Sequence, residues 1–267
     1  MTVAGVLVVV LSLQGEKLPP FQAGTSDVIF EKSPPHSDAD ELKARFRTKE
    51  DIPPYDVTKE KFRLLLPKSY AHAVKWGLFV YVNAGDDPGI PGEYLEVLER
   101  HKLIAVAAYK SGNGRNPYDR FRMAIDANFN LQNRFNVDPK RVYISGFSGG
   151  GRIASMLSIA YADLFAGGIP LCGVNFYLDI PSEPGRMWQR NFIPVDEALK
   201  IGKSTGRYVL VTGEKDMNLK NTRAVYDFGF KKEGFKHATV LEVPGMGHSP
   251  PPAEWFDKGL NFLDNPK

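Results

Sequence analysis

The run Leu103 to Tyr109 (LIAVAAY) carries no polar side chain before its final tyrosine. A strand with one solvated face alternates apolar and polar residues, so an unbroken apolar run of this length reads as a strand covered on both faces. A mostly parallel sheet with helices packed on each side meets that condition. Gly77 to Val82 (GLFVYV) has the same character and ends in Asn83-Ala84-Gly85-Asp86. Further strands are expected at Lys61 to Leu66, Arg141 to Ser145, Gly168 to Cys172, Arg207 to Thr212 and Ala238 to Val243.

Between these strands lie segments with apolar residues at helical spacing: Glu93 to His101, Tyr118 to Phe135, Gly150 to Tyr161, Val195 to Ile201, Thr222 to Gly234 and Pro252 to Leu263. The turn Asn136-Val137-Asp138-Pro139 is expected to end the second of them. Such alternation, with crossovers long enough for right-handed connections, implies an α/β fold whose catalytic groups sit at the carboxyl ends of the strands. An irregular stretch from Gly173 to Pro194 contains Tyr177, Met187, Trp188 and Phe192, which are suited either to binding an apolar acyl group or to anchoring the loop.

The amino-terminal part is less regular. Val3 to Leu13 (VAGVLVVVLSL) has the length of the apolar region of a signal peptide and is too short for a membrane span, so no stable membrane insertion is expected. Residues 1–16 are therefore either a signal peptide remnant, placing the protein outside the cytoplasm as a secreted or periplasmic one, or a first strand of a cytoplasmic one. Residues 17–60 are rich in proline and charge and read as an extended arm over the domain, with one short helix around Asp40 to Arg47. Residues 61–267 are expected to make up the α/β domain, which would carry any catalytic site.

Composition narrows the chemistry. Against 31 acidic side chains there are 34 basic ones, a formal charge of +3 without a long Lys/Arg run, which gives no electrostatic footprint for nucleic acid. The single cysteine, Cys172, precludes an intramolecular disulfide and a cysteine-based zinc cluster, and reads as a small buried hydrophobe. None of the five histidines forms a His-Glu-x-x-His pair, so no metal is expected.

Directly after the strand at 141–145 comes Gly146-Phe147-Ser148-Gly149-Gly150, a G-x-S-x-G between a strand and an amphipathic helix. A serine there must occupy a sharp, strained turn, which requires neighbours two residues away with almost no side chain. The overlapping Gly149-Gly150-Gly151-Arg152-Ile153-Ala154 fits a dinucleotide fingerprint, yet the acidic residue that motif needs about 20 positions on is missing, since Ile169-Pro170-Leu171-Cys172 stands there. A serine hydroxyl needs a base and an orienting carboxylate. Glu214 and Asp216 follow the strand at 207–212, the later position being better placed to clear the strand end, and His248 follows the strand at 238–243. His237 precedes its strand and lies at the wrong end for catalysis. Ser111 to Arg115 follows another strand and reads either as a plain turn or as part of the site wall.

The order Ser148, Asp216, His248, together with VDPKRVYISGFSGGGRIA, GEKD and GMGH, resembles the α/β-hydrolase superfamily, and within it serine esterases of the polyhydroxybutyrate depolymerase-like and feruloyl-esterase-like groups. The resemblance spans about Lys61 to Leu263. It implies an α/β-hydrolase fold, a mostly parallel sheet with helices on both faces, and a carboxylesterase acting on a small-molecule or polymeric ester without a cofactor. Ser148 would be nucleophile, His248 general base and then acid, and Asp216 the carboxylate fixing the imidazole. Gly149 would supply one oxyanion N–H. The second would come from Gly85 or Asp86, because Asn83-Ala84-Gly85-Asp86 stands where these groups often have His-Gly. Substrate contacts would come from Phe147, Asn83 and Trp188. A prolyl-oligopeptidase-like peptidase and a catalytically silent binding protein share this fold and are the alternatives.

Overall fold

The computed structural model describes residues 8–11 and 23–265. The strands are β1 (Val8–Leu11), β2 (Gly24–Phe30), β3 (Lys61–Leu66), β4 (Trp76–Val82), β5 (Leu103–Ala108), β6 (Val137–Phe147), β7 (Gly167–Leu171), β8 (Ile180–Pro181), β9 (Met187–Trp188), β10 (Arg207–Gly213) and β11 (His237–Val243). The helices are α1 (Ala39–Phe46), α2 (Leu95–Arg100), α3 (Pro117–Arg134), α4 (Gly149–Ala160), α5 (Asp196–Ser204), α6 (Leu219–Ala224) and α7 (Ala253–Asp264).

Among the described residues, nine strands form one sheet in the order β1-β2-β3-β5-β4-β6-β7-β10-β11, while β8 and β9 form a separate small hairpin. Only the β2–β3 and β3–β5 pairings are antiparallel; every other neighbouring pair in the large sheet is parallel. The central strands are covered on both faces, as their apolar runs require. Along β4, Leu78, Val80 and Val82 pack into one core with Phe121 and Ile125 of α3 and Ile153 and Leu157 of α4. The alternate residues Phe79 and Tyr81 pack into a second core with Val97 and Leu98 of α2 and Phe256, Leu260 and Leu263 of α7. Each such large apolar side chain contributes about 1.5–3 kcal/mol on full burial, so the two cores together fix β4 in the middle of the sheet.

Three elements depart from the sequence reading. Residues 24–30 do not lie as an arm over the domain. They form β2, which pairs with β3 and buries Val28 and Phe30, while Asp27 takes an ion pair from Lys61 and a hydrogen bond from Tyr109. The expected turn at 136–139 is the start of β6; the strand tolerates Pro139 because its pairing with β4 is irregular there, jumping from Trp76↔Val137 to Leu78↔Val142. The helix expected at 222–234 is α6 followed by a wide π turn at Val225–Phe230. Of the run Val3 to Leu13, Val8–Leu11 is a strand parallel to β2, and the rest lies outside the described residues. Among the described residues no helix is long and apolar enough to cross a membrane.

Candidate active site

Four loops meet at the carboxyl ends of β4, β6, β10 and β11. After β6 the chain turns at Ser148, whose φ of 54° and ψ of −114° lie outside the regions that L residues favour, and α4 starts at once. The glycines around it are forced by contact. A Cβ on Gly146 would lie 2.3 Å from the Val82 carbonyl oxygen, and one on Gly150 would lie 1.8 Å from the same atom. The elbow is therefore wedged against the end of β4, and the Ser148 N–H is held by the Leu171 carbonyl at 2.8 Å.

His248, in the loop between β11 and α7, faces both partners. Its Nε2 is 2.9 Å from Ser148 Oγ, and its Nδ1 is 2.8 Å from Asp216 Oδ1. The Phe147 ring packs beside the imidazole at 5.0 Å between centroids. Asp216 is 6% exposed. Burial raises its pKa, but the Asn218 N–H, His248, Cys172 and the Thr212 hydroxyl outweigh burial and hold the carboxyl below its usual range. It is thus poised as an anion opposite an Nδ1–H, which leaves Nε2 as the acceptor facing the serine hydroxyl. Glu214 is exposed and accepts the Gly245 N–H instead, so it orders the loop without touching the imidazole.

Cys172 lies beside this chain of hydrogen bonds. Its Sγ and the ligating atoms of Asp216 and His248 lie within 4.8 Å of one another. Burial pushes the thiol up to about 12 and its Sγ–H is directed at the Ser249 carbonyl, while both imidazole nitrogens are already engaged. A neutral thiol and an occupied imidazole form a hydrogen-bonding group, not a cation site.

A cavity of about 700 Å³ opens on Ser148 and Gly149, with Asn113, Arg120, Arg152 and Phe192 among its walls. Asn113 was legible only as one of two readings of the 111–115 loop; here a Cβ on Gly149 would fall 1.9 Å from Asn113 Oδ1, so the amide lies directly over the start of α4. Several expected contacts are not among the lining residues. Asn83 uses its side chain within its own turn, accepting from Ala84 N–H and donating to the Asp87 carbonyl. Asp86 accepts the Gly112 N–H, and the Gly85 N–H is directed at Asn83 Oδ1 over 3.5 Å. Trp188 pairs with Ile180 in the β8–β9 hairpin and packs against the core. Tyr177 is buried and bonded to Glu233, Met187 is exposed, and Phe192 alone of that aromatic group faces the cavity.

Strand order, the strained serine between β6 and α4, and an acid and a histidine on the loops after β10 and β11 together define an α/β-hydrolase fold. No family model and no curated protein matches the sequence. Solved structures do match. An S-formylglutathione hydrolase from Staphylococcus aureus superposes with a TM-score of 0.57 at 14% identity, covering 77% of this chain and 93% of that one. Thermogutta terrifontis esterase 2, solved phosphonylated by sarin, matches with a TM-score of 0.55 at 17% identity over 79% of this chain and 90% of its own. A ferulic acid esterase matches with a TM-score of 0.55 at 16% identity over 76% of this chain and 89% of that one. At such identities the likeness is one of fold, and the mostly parallel sheet with two helical layers is common to them.

Proposed function

We propose that this protein is a serine hydrolase that cleaves carboxylic esters through an acyl-enzyme on Ser148. The observation that carries the proposal is the continuous hydrogen-bonded chain Ser148 Oγ, His248, Asp216, at 2.9 and 2.8 Å. In this reading His248 Nε2 takes the hydroxyl proton as Oγ attacks the ester carbonyl, and Asp216 stabilises the imidazolium that forms. The tetrahedral intermediate collapses as His248 returns that proton to the departing alkoxide, leaving the acyl group on Ser148. Water then enters, gives its proton to His248 and attacks the acyl carbonyl; carboxylic acid and free Ser148 result.

The developing oxyanion needs two donors aimed at one point. Gly149 is the first residue of α4, and the first N–H groups of a helix have no partner within it. For the second donor we take the Asn113 side-chain amide, which lies against Gly149; the Gly85 N–H is directed at Asn83 Oδ1 over 3.5 Å, and the Asp86 backbone N–H is the alternative. Feruloyl esters are a natural first substrate, given the ferulic acid esterase among the structural matches.

The test is a fluorophosphonate label followed by peptide mass analysis. Adduct at Ser148 in the folded protein, and none when the protein is heat-denatured before the label is added, is the expected result. A folded wild-type chain that stays unlabelled at Ser148 overturns the assignment. A panel of short-acyl, feruloyl, polyester and peptide substrates then ranks the ester against the peptidase reading.

A further inference from the structure

The cavity over Ser148 is markedly cationic: four arginines, Arg47, Arg120, Arg152 and Arg190, line it together with one acidic residue, Glu50. Arg47 is neutralised by Asp196 at 2.7 Å. The other three differ. Among the described residues none of them forms an ion pair. Arg152 spends its guanidinium on neutral acceptors, the Val174 carbonyl and the side chains of Asn175 and Asn218.

Arg120 is the extreme case. It stands in the first turns of α3 and is only 5% exposed, so its charge has been taken almost wholly out of water. Among the described residues its guanidinium makes one hydrogen bond, from Nη2 to the Asn83 carbonyl at 2.9 Å, and its buried Nε has no partner. Burial pushes its pKa down to about 10, still far above neutrality, so the side chain stays charged. A buried guanidinium without a carboxylate is a large unreturned desolvation penalty, and the other buried arginine of α3 avoids it, Arg122 lying 3.8 Å from Asp119, as does the partly buried Arg141, which pairs with Asp264 at 2.9 Å. Arg120 lines the cavity that reaches Ser148.

We propose that Arg120, supported by Arg152 and Arg190, receives a carboxylate carried by the ester substrate, so that the site selects anionic over neutral esters. The proposal rests on the reading of Ser148 as nucleophile. A carboxylate brought to Arg120 replaces the lost hydration with charge-assisted hydrogen bonds and anchors the ester within the same cavity. Arg190, exposed on the rim, then acts over a longer range to draw the anion in.

Two matched substrate pairs test this on the whole protein. One pair places the charge on the acyl side, mono-4-nitrophenyl glutarate against 4-nitrophenyl butyrate. The other places it on the alcohol side, 4-acetoxybenzoate against its methyl ester. In at least one pair, kcat/KM for the anionic member should be higher by about tenfold or more, mainly through KM, and the preference should shrink with added salt. Arg120→Gln should bring that ratio to about one, Arg120→Lys should restore part of it, and Arg190→Gln should lower it with the fold intact. A residue that merely props up the Asn83 loop would lower both members of a pair together and leave the ratio unchanged. Equal kcat/KM within both pairs for the wild type overturns the proposal. Calorimetric titration of the same esters into Ser148→Ala separates the two hypotheses: tighter binding of the anionic member supports the anion site whatever the nucleophile, and equal binding refutes it, whereas the fluorophosphonate label reports on Ser148 alone.

Discussion

In the mechanism proposed above, Asp216 and Asn113 would act on the same serine in different ways, and single substitutions separate them. Asp216→Asn keeps the volume but presents an amide to His248 Nδ1, which favours the tautomer with its proton on Nε2, where the acceptor must be. The expected result is a fall in kcat of about 10⁴ with the fold retained, measured as esterase turnover beside a thermal melt. Asn113→Ala removes a donor without disturbing the hydrogen bonds of His248, so labelling of Ser148 should persist while kcat falls by about 10²–10³. Unchanged kcat in that variant assigns the second donor to the backbone of the 85–86 loop. Ser148, Asp216 and His248 were legible in the sequence because chain order and strand ends position each independently of the others. Asn113 was legible only as one of two readings of the 111–115 loop and Arg120 not at all, because the place of a loop asparagine or a helical arginine is fixed only once β5, α3 and α4 are packed together. The choice between Glu214 and Asp216 was legible in part: both follow β10, and only the turn that sends Glu214 to Gly245 separates them.

At the level of elements, the sequence shows most clearly what burial dictates. β4 and β5 announced themselves through unbroken apolar runs, and α3, α4 and α7 through a single apolar face. β2 was hidden because its first half, Gly24 to Asp27, is small and polar and its strand character comes from pairing with β3. The π turn after α6 was hidden for a related reason: Gly229 packs against the Phe176 ring, a tertiary contact that a helical period does not encode. The β6–α4 elbow is the junction where local sequence and packing agree most tightly. Gly150→Ala should therefore be severe for so small a change, since its methyl group would stand 1.8 Å from the Val82 carbonyl oxygen. We expect destabilisation of about 2–3 kcal/mol and loss of fluorophosphonate labelling as α4 is pushed from β4. Gly114→Ala, where a Cβ meets nothing within 4 Å, is the control that should melt like the wild type.

Across the whole molecule, two carboxylates, Asp264 partly buried and Asp126 fully so, give stability opposite dependences on pH. Asp264, at the end of α7, accepts hydrogen bonds from His101, Arg141 and Tyr143, tying that helix to β6 and to the residue after α2. Burial raises its pKa, yet these partners outweigh burial and hold it well below 3.8, so its stabilising effect is present above that value and disappears only as pH falls further. Asp126, wholly buried in α3, accepts the Ser33 and Ser37 hydroxyls, and burial dominates, raising it to about 6. The folded state therefore prefers Asp126 protonated: its contribution is full below about 3.8 and is lost as pH rises through about 6. That shift corresponds to about 3 kcal/mol. Denaturant unfolding of the wild type, Asp126→Asn and Asp264→Asn at pH 4, 5, 6 and 7 reads both effects. Asp126→Asn should gain on the wild type by about 2 kcal/mol between pH 4 and pH 7, because the asparagine has no charge to bury. Asp264→Asn should lose about 3 kcal/mol, nearly constant over the same range, since the wild-type carboxylate is already ionised throughout it. A difference between Asp126→Asn and the wild type that does not change with pH would show that the Ser33 and Ser37 hydroxyls and the nearby Arg122 hold Asp126 as a stable anion, and that burial is not the governing term at that position.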